Sequence, residues 1–129
     1  MKYVVNRAEH ERFTTSPNGD IAKYLRRRAV ILQALARKQV GVNTGALRRS
    51  IRYTVVRDSR GLVATVGSSN RIALMHHNGT KPHIIRPRRA QTLRFYSHGR
   101  IVYSQLVHHP GTRPNRYLTD NLSRAVRMK

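Results

Sequence analysis

Apolar residues recur at three- and four-residue spacing over residues 20–38 of this 129-residue chain, with arginines on the opposite side. This spacing places side chains along one face of an α-helix. Asp20 or Asn18 can cap the amino end, and basic residues suit the carboxyl end. We therefore predict one long amphipathic helix. The residues predicted on its apolar face are Ile21, Tyr24, Leu25, Ala29, Leu32 and Leu35 or Ala36.

The pattern after residue 50 favours strands over helix. Ile51–Arg57 and Leu62–Gly67 are rich in β-branched residues, and Asp58–Gly61 between them has the composition of a hairpin turn. A second hairpin turn is predicted at Ser97–Arg100. Further extended runs are predicted at His83–Arg86, Thr92–Tyr96 and Ile101–Val107.

Shorter helical patterns precede and follow these strands. Residues 42–50 predict a turn into a short helical segment capped by Asn43 or Thr44, and Ile72–His77 fits a single helical turn. Pro114–Val126 predicts a terminal helix. Its apolar face would hold Tyr117, Leu118, Leu122, Ala125 and Val126.

The order of helix, strands and helix predicts an α+β fold, with one long N-terminal helix packed on a mainly antiparallel β-sheet and a short C-terminal helix. The length of 129 residues fits a single domain with a modest core. Residues 1–19 start apolar and then turn polar, so we expect a loose N-terminal segment, a short strand or an arm. Residues 20–126 would form the core of the domain.

Two short stretches share a turn pattern in which a histidine precedes Gly-Thr, followed by a cation and a proline. They are His77–His83 (HNGTKPH) and His109–Pro114 (HPGTRP). Glycine allows positive φ at little steric cost, and proline fixes φ. Each stretch is therefore predicted to be a rigid turn, the first leading into an extended run and the second into a helix. The residues expected to set these turns are Gly79, Thr80, Pro82, Pro110, Gly111, Thr112 and Pro114.

The net charge of the chain indicates which class of molecule it binds. The chain has 26 Lys and Arg against 5 Asp and Glu, for a formal net charge of +21. Such a balance is typical of proteins with a polyanionic partner, most often nucleic acid, although a positive surface can also face acidic protein neighbours. The cations are spread along the chain, with short clusters at Arg26–Arg28, Arg48–Arg49 and Arg86–Arg89.

The residues needed for catalysis or metal binding are scarce. The chain has no cysteine, which removes disulfides, zinc–thiolate sites and thiol catalysis. Five carboxylates leave little for acid–base pairs, and no nucleophile elbow, P-loop or dinucleotide fingerprint is present. The adjacent pairs His76-His77 and His108-His109 would point to opposite faces of a strand, which favours structural or interface histidines over a metal site. We therefore expect no enzyme, no cofactor and no metal.

Six short motifs follow one another between Asn43 and Pro114, within a match that runs in order from about Asp20 to Val126, nearly the whole chain. They are Asn43–Ile51, Val66-Gly67, Ala73–Thr80, Pro82-His83-x-Ile85-x-Pro87, Leu93-x-Phe95 and His109-Pro110-Gly111-Thr112-x-Pro114. This series resembles the tail-completion family of long-tailed bacteriophages, whose members are also described as head–tail joining, neck or tail-component proteins. One departure is His76-His77-Asn78, where the family often has an aromatic–acidic pair before Gly-Thr. A contact with a neighbour at that position is expected to differ.

The resemblance implies a structural subunit that assembles into a ring, expected to be hexameric, between the portal–connector and the tail tube. Genomic double-stranded DNA would pass through its lumen. Its partners would be other copies of the chain, portal–connector or stopper proteins, and tail terminator or tail tube proteins. It would reside at the head–tail junction of the virion, and in the host cytoplasm during assembly. The roles of completion protein, stopper and tail terminator all fit.

The alternative function is that of a free basic nucleic-acid-binding protein of ribosomal or nucleoid type. The ordered Gly-Thr-x-Pro turns favour the assembly protein, whereas the net charge of +21 favours the alternative. No apolar run approaches the ~20 residues needed to span a bilayer, so we expect a soluble protein without a membrane partner. The candidate contacts to DNA or to a protein partner are Arg26, Arg27, Arg86, Arg88 and Arg89.

Overall fold

The structure is a computed structural model that describes residues 6–128. The chain divides into two compact units: Leu74–Asn115 forms the second, and the described residues on either side of it form the first. The helices are α1 (Arg7–Thr15), α2 (Asp20–Gln39), α3 (Ala46–Ser50), α4 (Ala73–Asn78) and α5 (Thr119–Arg127). The strands are β1 (Ile51–Asp58), β2 (Gly61–Ser68), β3 (His83–Ile85), β4 (Leu93–Ser97), β5 (Arg100–Ser104) and β6 (Val107–His109). These elements confirm the predicted α+β class.

The strands of residues 6–128 form three antiparallel pairs rather than one continuous sheet: β1–β2, β3–β6 and β4–β5. The two hairpins that the sequence predicts, around Asp58–Gly61 and Ser97–Arg100, are confirmed. The predicted run Ile101–Val107 is divided between β5 and β6. The division occurs where the Ser104 hydroxyl donates to the Leu106 carbonyl oxygen (2.6 Å) and accepts from the Leu106 N–H (3.2 Å), which closes a local turn.

Helix α1 lies in the stretch expected to be a loose segment. Asn6 precedes it in extended conformation, and its side-chain oxygen accepts from the backbone N–H of Ala8 (3.1 Å) and Glu9 (3.4 Å). This cap satisfies two of the free N–H groups at the start of a helix. No residue of α1 is buried, so its sequence lacks the apolar periodicity that reveals a helix. The apolar start of the segment, residues 1–5, lies outside the described residues.

Helix α2 confirms the predicted long helix, and its buried face consists mostly of small residues. The buried residues are Ala22, Ala29, Leu32 and Ala36. Tyr24, predicted on the apolar face, is 47% exposed. Because alanine adds little bulk, the backbone of α2 can approach its neighbours closely.

A glycine takes the N-cap position before both α2 and α3. Gly19 precedes α2 and Gly45 precedes α3, and neither helix has a side-chain cap hydrogen bond. Gly45 has a φ of +76°, so the turn before α3 uses the left-handed conformation that glycine favours. The predictions of Asn18 or Asp20 as the cap of α2 and of Asn43 as the cap of α3 are therefore wrong. Thr44, one position before the N-cap glycine of α3, accepts from the Ala46 N–H through its hydroxyl at 3.4 Å.

The first unit has its core where α2 packs against the β1–β2 hairpin. The carbonyl oxygen of Ile51 accepts hydrogen bonds from Gln33 Nε2 and Arg37 Nη2, both at 2.8 Å. These bonds fix the start of β1 to the last turns of α2. The buried residues that contact one another are Ala36, Val40, Leu47, Ile51 and Tyr117.

Helix α5 begins later than the sequence predicts and buries only part of the predicted apolar face. Tyr117, Asn121 and Ala125, four residues apart, are buried, whereas Leu122 and Val126 are each 53% exposed. The Asn121 amide can be buried because its Nδ2 donates to Gln39 Oε1 (2.6 Å) and to the Tyr117 carbonyl oxygen (2.9 Å). Apolarity alone therefore misassigned the face, because a satisfied asparagine occupies its centre.

Candidate interaction surface

The two Gly-Thr-x-Pro turns are hydrogen-bonded to each other within the second unit. The Thr80 N–H donates to the Thr112 carbonyl oxygen at 3.1 Å, and the Thr112 N–H donates to the Thr80 carbonyl oxygen at 3.0 Å. The two threonine hydroxyls lie 3.1 Å apart. This reciprocal pair is an isolated antiparallel bridge, so the repeated turns form one structural feature.

Each glycine of the turns packs against the backbone of the opposite turn. Gly79 has a φ of +73° and Gly111 a φ of +85°. A Cβ atom at Gly79 would lie 2.5 Å from the Thr112 carbonyl oxygen and 2.8 Å from the Pro114 nitrogen. A Cβ atom at Gly111 would collide with the Thr80 carbonyl oxygen. Both positions therefore require glycine for conformation and for close approach.

The histidines beside the turns have structural roles. Strand β3 pairs with β6 so that His83 lies opposite His109, and the two rings stack with centroids 4.9 Å apart. His83 Nδ1 donates to the Lys81 carbonyl oxygen (2.9 Å), and His109 Nδ1 accepts from the Gly111 N–H (3.0 Å). In helix α4, the carbonyl oxygen of His76 accepts from the Asn115 N–H at 3.1 Å. Within residues 6–128 no group of three or more His, Asp or Glu could hold a metal ion.

Three of the candidate arginines lie in the loop that follows β3. Arg86, Arg88 and Arg89 are all exposed, and the loop continues to the start of β4. The described part of the chain contains one ion pair, between Lys23 and Asp20, so none of the three has a carboxylate partner there. The loop begins directly after β3, which pairs with β6 beside the bridge between the two turns.

The other two candidate arginines lie on α2 in the first unit, and they differ from each other. Arg26 Nη2 donates to the Pro17 carbonyl oxygen at 2.6 Å, which ties the preceding chain to the helix. Arg27 is exposed. Their neighbour Arg28 lies 4.8 Å from the centre of the Tyr24 ring and donates to the Ala125 carbonyl oxygen at 3.3 Å. Among the described residues, Arg27 is therefore the member of this cluster that is both exposed and without such a hydrogen bond.

A further basic site was not selected from the sequence. Arg37, Arg48 and Arg49 border one surface cavity of about 540 Å³ in the first unit. The sequence shows Arg48-Arg49 as a cluster, but Arg37 is expected only to complement the end of α2. The position of Arg37 beside Arg48 and Arg49 depends on the conformation of the turn between α2 and α3, which the hydrophobic periodicity of the sequence does not predict.

Comparison with known proteins places the chain in a family. The model of the family described as "Bacteriophage HK97-gp10, putative tail-component" matches residues 14–101, well over half of the chain. The chain belongs to this family. No curated protein and no solved structure gives a significant match. The matched residues include the first Gly-Thr turn and the loop with Arg86, Arg88 and Arg89, whereas the second turn lies outside them.

Membership of the HK97 gp10-like family gives the broad role of the chain. It is a structural tail component of a bacteriophage, it resides in the virion, and it contacts other virion proteins. The resemblance stated from the sequence motifs is thereby confirmed. No helix within residues 6–128 is long and apolar enough to cross a membrane.

Proposed function

We propose that this tail component closes into a ring, expected to be hexameric, at the head–tail junction. The ring would lie between the portal–connector or stopper and the tail terminator or tail tube. Genomic double-stranded DNA would pass through its lumen. Family membership supports a structural role in the virion, and the observation that carries the ring proposal is the exposed apolar surface of the second unit.

The β4–β5 ribbon has one uncovered face. Cross-strand pairing sets Arg94 opposite Tyr103 and Tyr96 opposite Ile101, so these four side chains share a face. All four are exposed, Tyr96 by 74% and Tyr103 by 64%. A two-stranded ribbon is marginally stable in water, and a face with two exposed tyrosines suits burial against another subunit. When such a face meets a different surface of the next copy, the contact generates a ring if the rotation closes.

The loop after β3 supports contact between the ring and DNA. Its guanidinium groups, on Arg86, Arg88 and Arg89, are exposed and have no carboxylate partner within residues 6–128. Guanidinium binds phosphate oxygens through two parallel hydrogen bonds, and phosphate contacts need no base sequence. We therefore assign this loop to the DNA in the lumen. Arg27 is assigned to contact with DNA or with a protein partner. Arg26 is assigned to the same contact, for which its guanidinium group would exchange the hydrogen bond to the Pro17 carbonyl oxygen for one to the partner.

Deletion of the gene from the phage that encodes this chain tests the proposed role. We expect DNA-filled heads and finished tails that remain unjoined in negative-stain electron micrographs. A plasmid copy of the wild-type chain should restore joined particles. Tails of irregular length would assign the role of tail terminator within the junction. Fully assembled, infectious particles without the gene would contradict the proposal.

Substitution of the loop arginines tests the DNA contact separately. A chain with Arg86→Gln, Arg88→Gln and Arg89→Gln is expected to support joining of heads to tails but to release packaged DNA more readily. The measurement is the fraction of DNA-filled particles after a salt shift. A variant that retains DNA like the wild type would contradict the assignment of this loop to the lumen.

A further inference from the structure

The turn between α2 and α3 borders a basic surface cavity, which we name the arginine cavity. It has a volume of about 540 Å³. Its lining includes three guanidinium groups, one hydroxyl and one carboxamide, and no carboxylate. The lining residues are Arg37, Val42, Asn43, Thr44, Gly45, Arg48 and Arg49. All but Arg37 and Val42 belong to the Asn43–Ile51 motif.

The wall of the arginine cavity is anchored in the core. Within the motif, Leu47 is 5% exposed and Ile51 is fully buried. The Ser50 hydroxyl donates to the Leu47 carbonyl oxygen at 2.7 Å and lies 2.6 Å from the Ser68 hydroxyl. Arg37 donates to the Ile51 carbonyl oxygen at 2.8 Å. The cavity is therefore pre-formed, since its supporting residues are held by packing and hydrogen bonds.

Gly45 allows one guanidinium group to lie across the turn. Its φ is +76°, and a Cβ atom built there would lie 2.9 Å from Arg49 Nη1. A larger residue would displace the guanidinium group of Arg49 as well as strain the backbone. The glycine in this motif thus serves the position of a cation as well as the turn.

The positive charge of the arginine cavity is not neutralised by the described chain. Arg48 and Arg49 are exposed, and neither forms an ion pair within residues 6–128. Arg37 Nε is buried and has no hydrogen-bond acceptor among the same residues. Three guanidinium groups around one cavity repel one another, so an anion bound between them lowers the electrostatic energy.

We propose that the arginine cavity binds a carboxylate side chain from an acidic segment of a partner protein. A projecting Asp or Glu side chain can enter a concave site and accept paired hydrogen bonds from a guanidinium group. A DNA duplex is a wide, convex cylinder whose phosphates suit arginines on protruding loops. The chain itself has only 5 Asp and Glu, which favours a different protein over a second copy. The identification of this partner as another virion protein rests on the proposed function. The binding of a carboxylate in the arginine cavity does not depend on it.

Fluorescence anisotropy of a fluorescein-labelled hexaglutamate peptide tests this inference on the purified full-length chain at physiological salt. The cavity variant carries Arg48→Gln and Arg49→Gln. The matched control carries Arg88→Gln and Arg89→Gln, which remove the same charge from the basic cluster at Arg86–Arg89. We expect about a tenfold loss of peptide affinity in the cavity variant and less than about threefold in the control, since hydrogen bonds to charged groups are the strong ones. Circular dichroism of both variants checks that they remain folded.

A labelled 20-base-pair DNA duplex provides the second arm. We expect the cavity variant to bind this duplex no more weakly than the control variant does. Equal loss of peptide affinity in both variants would overturn the inference, because the binding would then depend on net charge alone. A loss of duplex affinity confined to the cavity variant would also overturn it and assign the cavity to DNA phosphates. Neither result bears on the head–tail role, which gene deletion tests.

Discussion

Gly79 and Gly99 have nearly the same backbone conformation but different surroundings. Their φ angles are +73° and +79°. A Cβ atom at Gly79 would lie 2.5 Å from the Thr112 carbonyl oxygen, whereas a Cβ atom at Gly99 would meet no neighbouring atom of residues 6–128 within 4 Å. The pair therefore separates the cost of the left-handed conformation from the cost of close approach between the two turns.

Gly79→Ala is expected to lower the free energy of unfolding by about 2–4 kcal/mol, whereas Gly99→Ala should lower it by about 1 kcal/mol. Both substitutions place a side chain at positive φ, but only the first also forces the turns apart. Urea denaturation of the two variants and the wild type measures the difference. Equal losses would show that the turns do not need the contact between Gly79 and Thr112.

Tyr117 gives the stability of the first unit a dependence on alkaline pH. Burial raises the pKa of its phenol above the ordinary value of 10.0. In the unfolded chain the phenol ionises at the ordinary value, so the stabilisation is fully present below that pH. It is lost as the pH rises through the higher pKa of the folded state.

Tyr117→Phe is expected to reduce this alkaline loss, because phenylalanine cannot ionise. The melting temperature of the wild type should fall more steeply than that of the variant as the pH rises above about 10. Thermal unfolding between neutral and strongly alkaline pH measures both slopes. Parallel curves would contradict the assignment, since the two proteins differ only at residue 117.

The residue scale also shows how far the sequence predicts the turns. Glycine and proline indicate that each Gly-Thr-x-Pro stretch is a turn, and the positive φ angles agree with that expectation. The sequence does not indicate that Thr80 bonds to Thr112, because these residues are 32 positions apart. Their pairing depends on strands β3 and β6, which tertiary structure brings together.

At the scale of the element, α5 docks on α2 through a polar residue. Asn121 is 2% exposed and donates to Gln39 Oε1 and the Tyr117 carbonyl oxygen. Leu122, its neighbour, is 53% exposed. The hydrogen-bonded side chain of Asn121 therefore holds α5 on α2, and it lies between two other buried residues, Tyr117 and Ala125.

Asn121→Ala is expected to destabilise the protein by about 1–3 kcal/mol, because it removes two hydrogen bonds and leaves a gap beside Gln39. Leu122→Ala is the control and should change the free energy of unfolding by less than about 0.5 kcal/mol. Chemical denaturation of both variants provides the comparison. A larger loss at Leu122 would favour the apolar face that the sequence predicts.

The predictability of an element follows from how much of it is buried. Helix α2 has four buried residues at helical spacing, and the sequence predicts it within one residue of its observed end. Helix α1 has none, and its start is marked by the Asn6 cap, which is not part of any hydrophobic period. The break between β5 and β6 depends on two hydrogen bonds between Ser104 and Leu106, and no hydrophobic pattern reports them.

At the scale of the whole molecule, the excess of positive charge is the property that most restricts the kind of partner. The formal net charge is +21, and the described residues contain a single ion pair. The sequence alone therefore predicts an anionic partner. It does not separate the arginines that are hydrogen-bonded from those that are not. Arg26 and Arg28 donate to backbone carbonyl groups, whereas Arg27, Arg86 and Arg88 form no such bond within residues 6–128.

The purified chain is expected to be monomeric at low ionic strength, because copies with a charge of +21 repel one another. Addition of short DNA duplexes or higher salt should promote association by neutralising or screening this charge. Size-exclusion chromatography with light scattering measures the mass under each condition. A stable oligomer at low salt without any polyanion would contradict the expected effect of charge on assembly.

The most direct test of the head–tail role is cryo-electron microscopy of purified virions from the phage that encodes this chain. We expect a closed ring of this chain at the neck, around the DNA channel, with the loop that carries Arg86, Arg88 and Arg89 facing the lumen. Absence of the chain from the virion would contradict the proposed role. It would favour instead a free basic protein that binds nucleic acid in the infected cell.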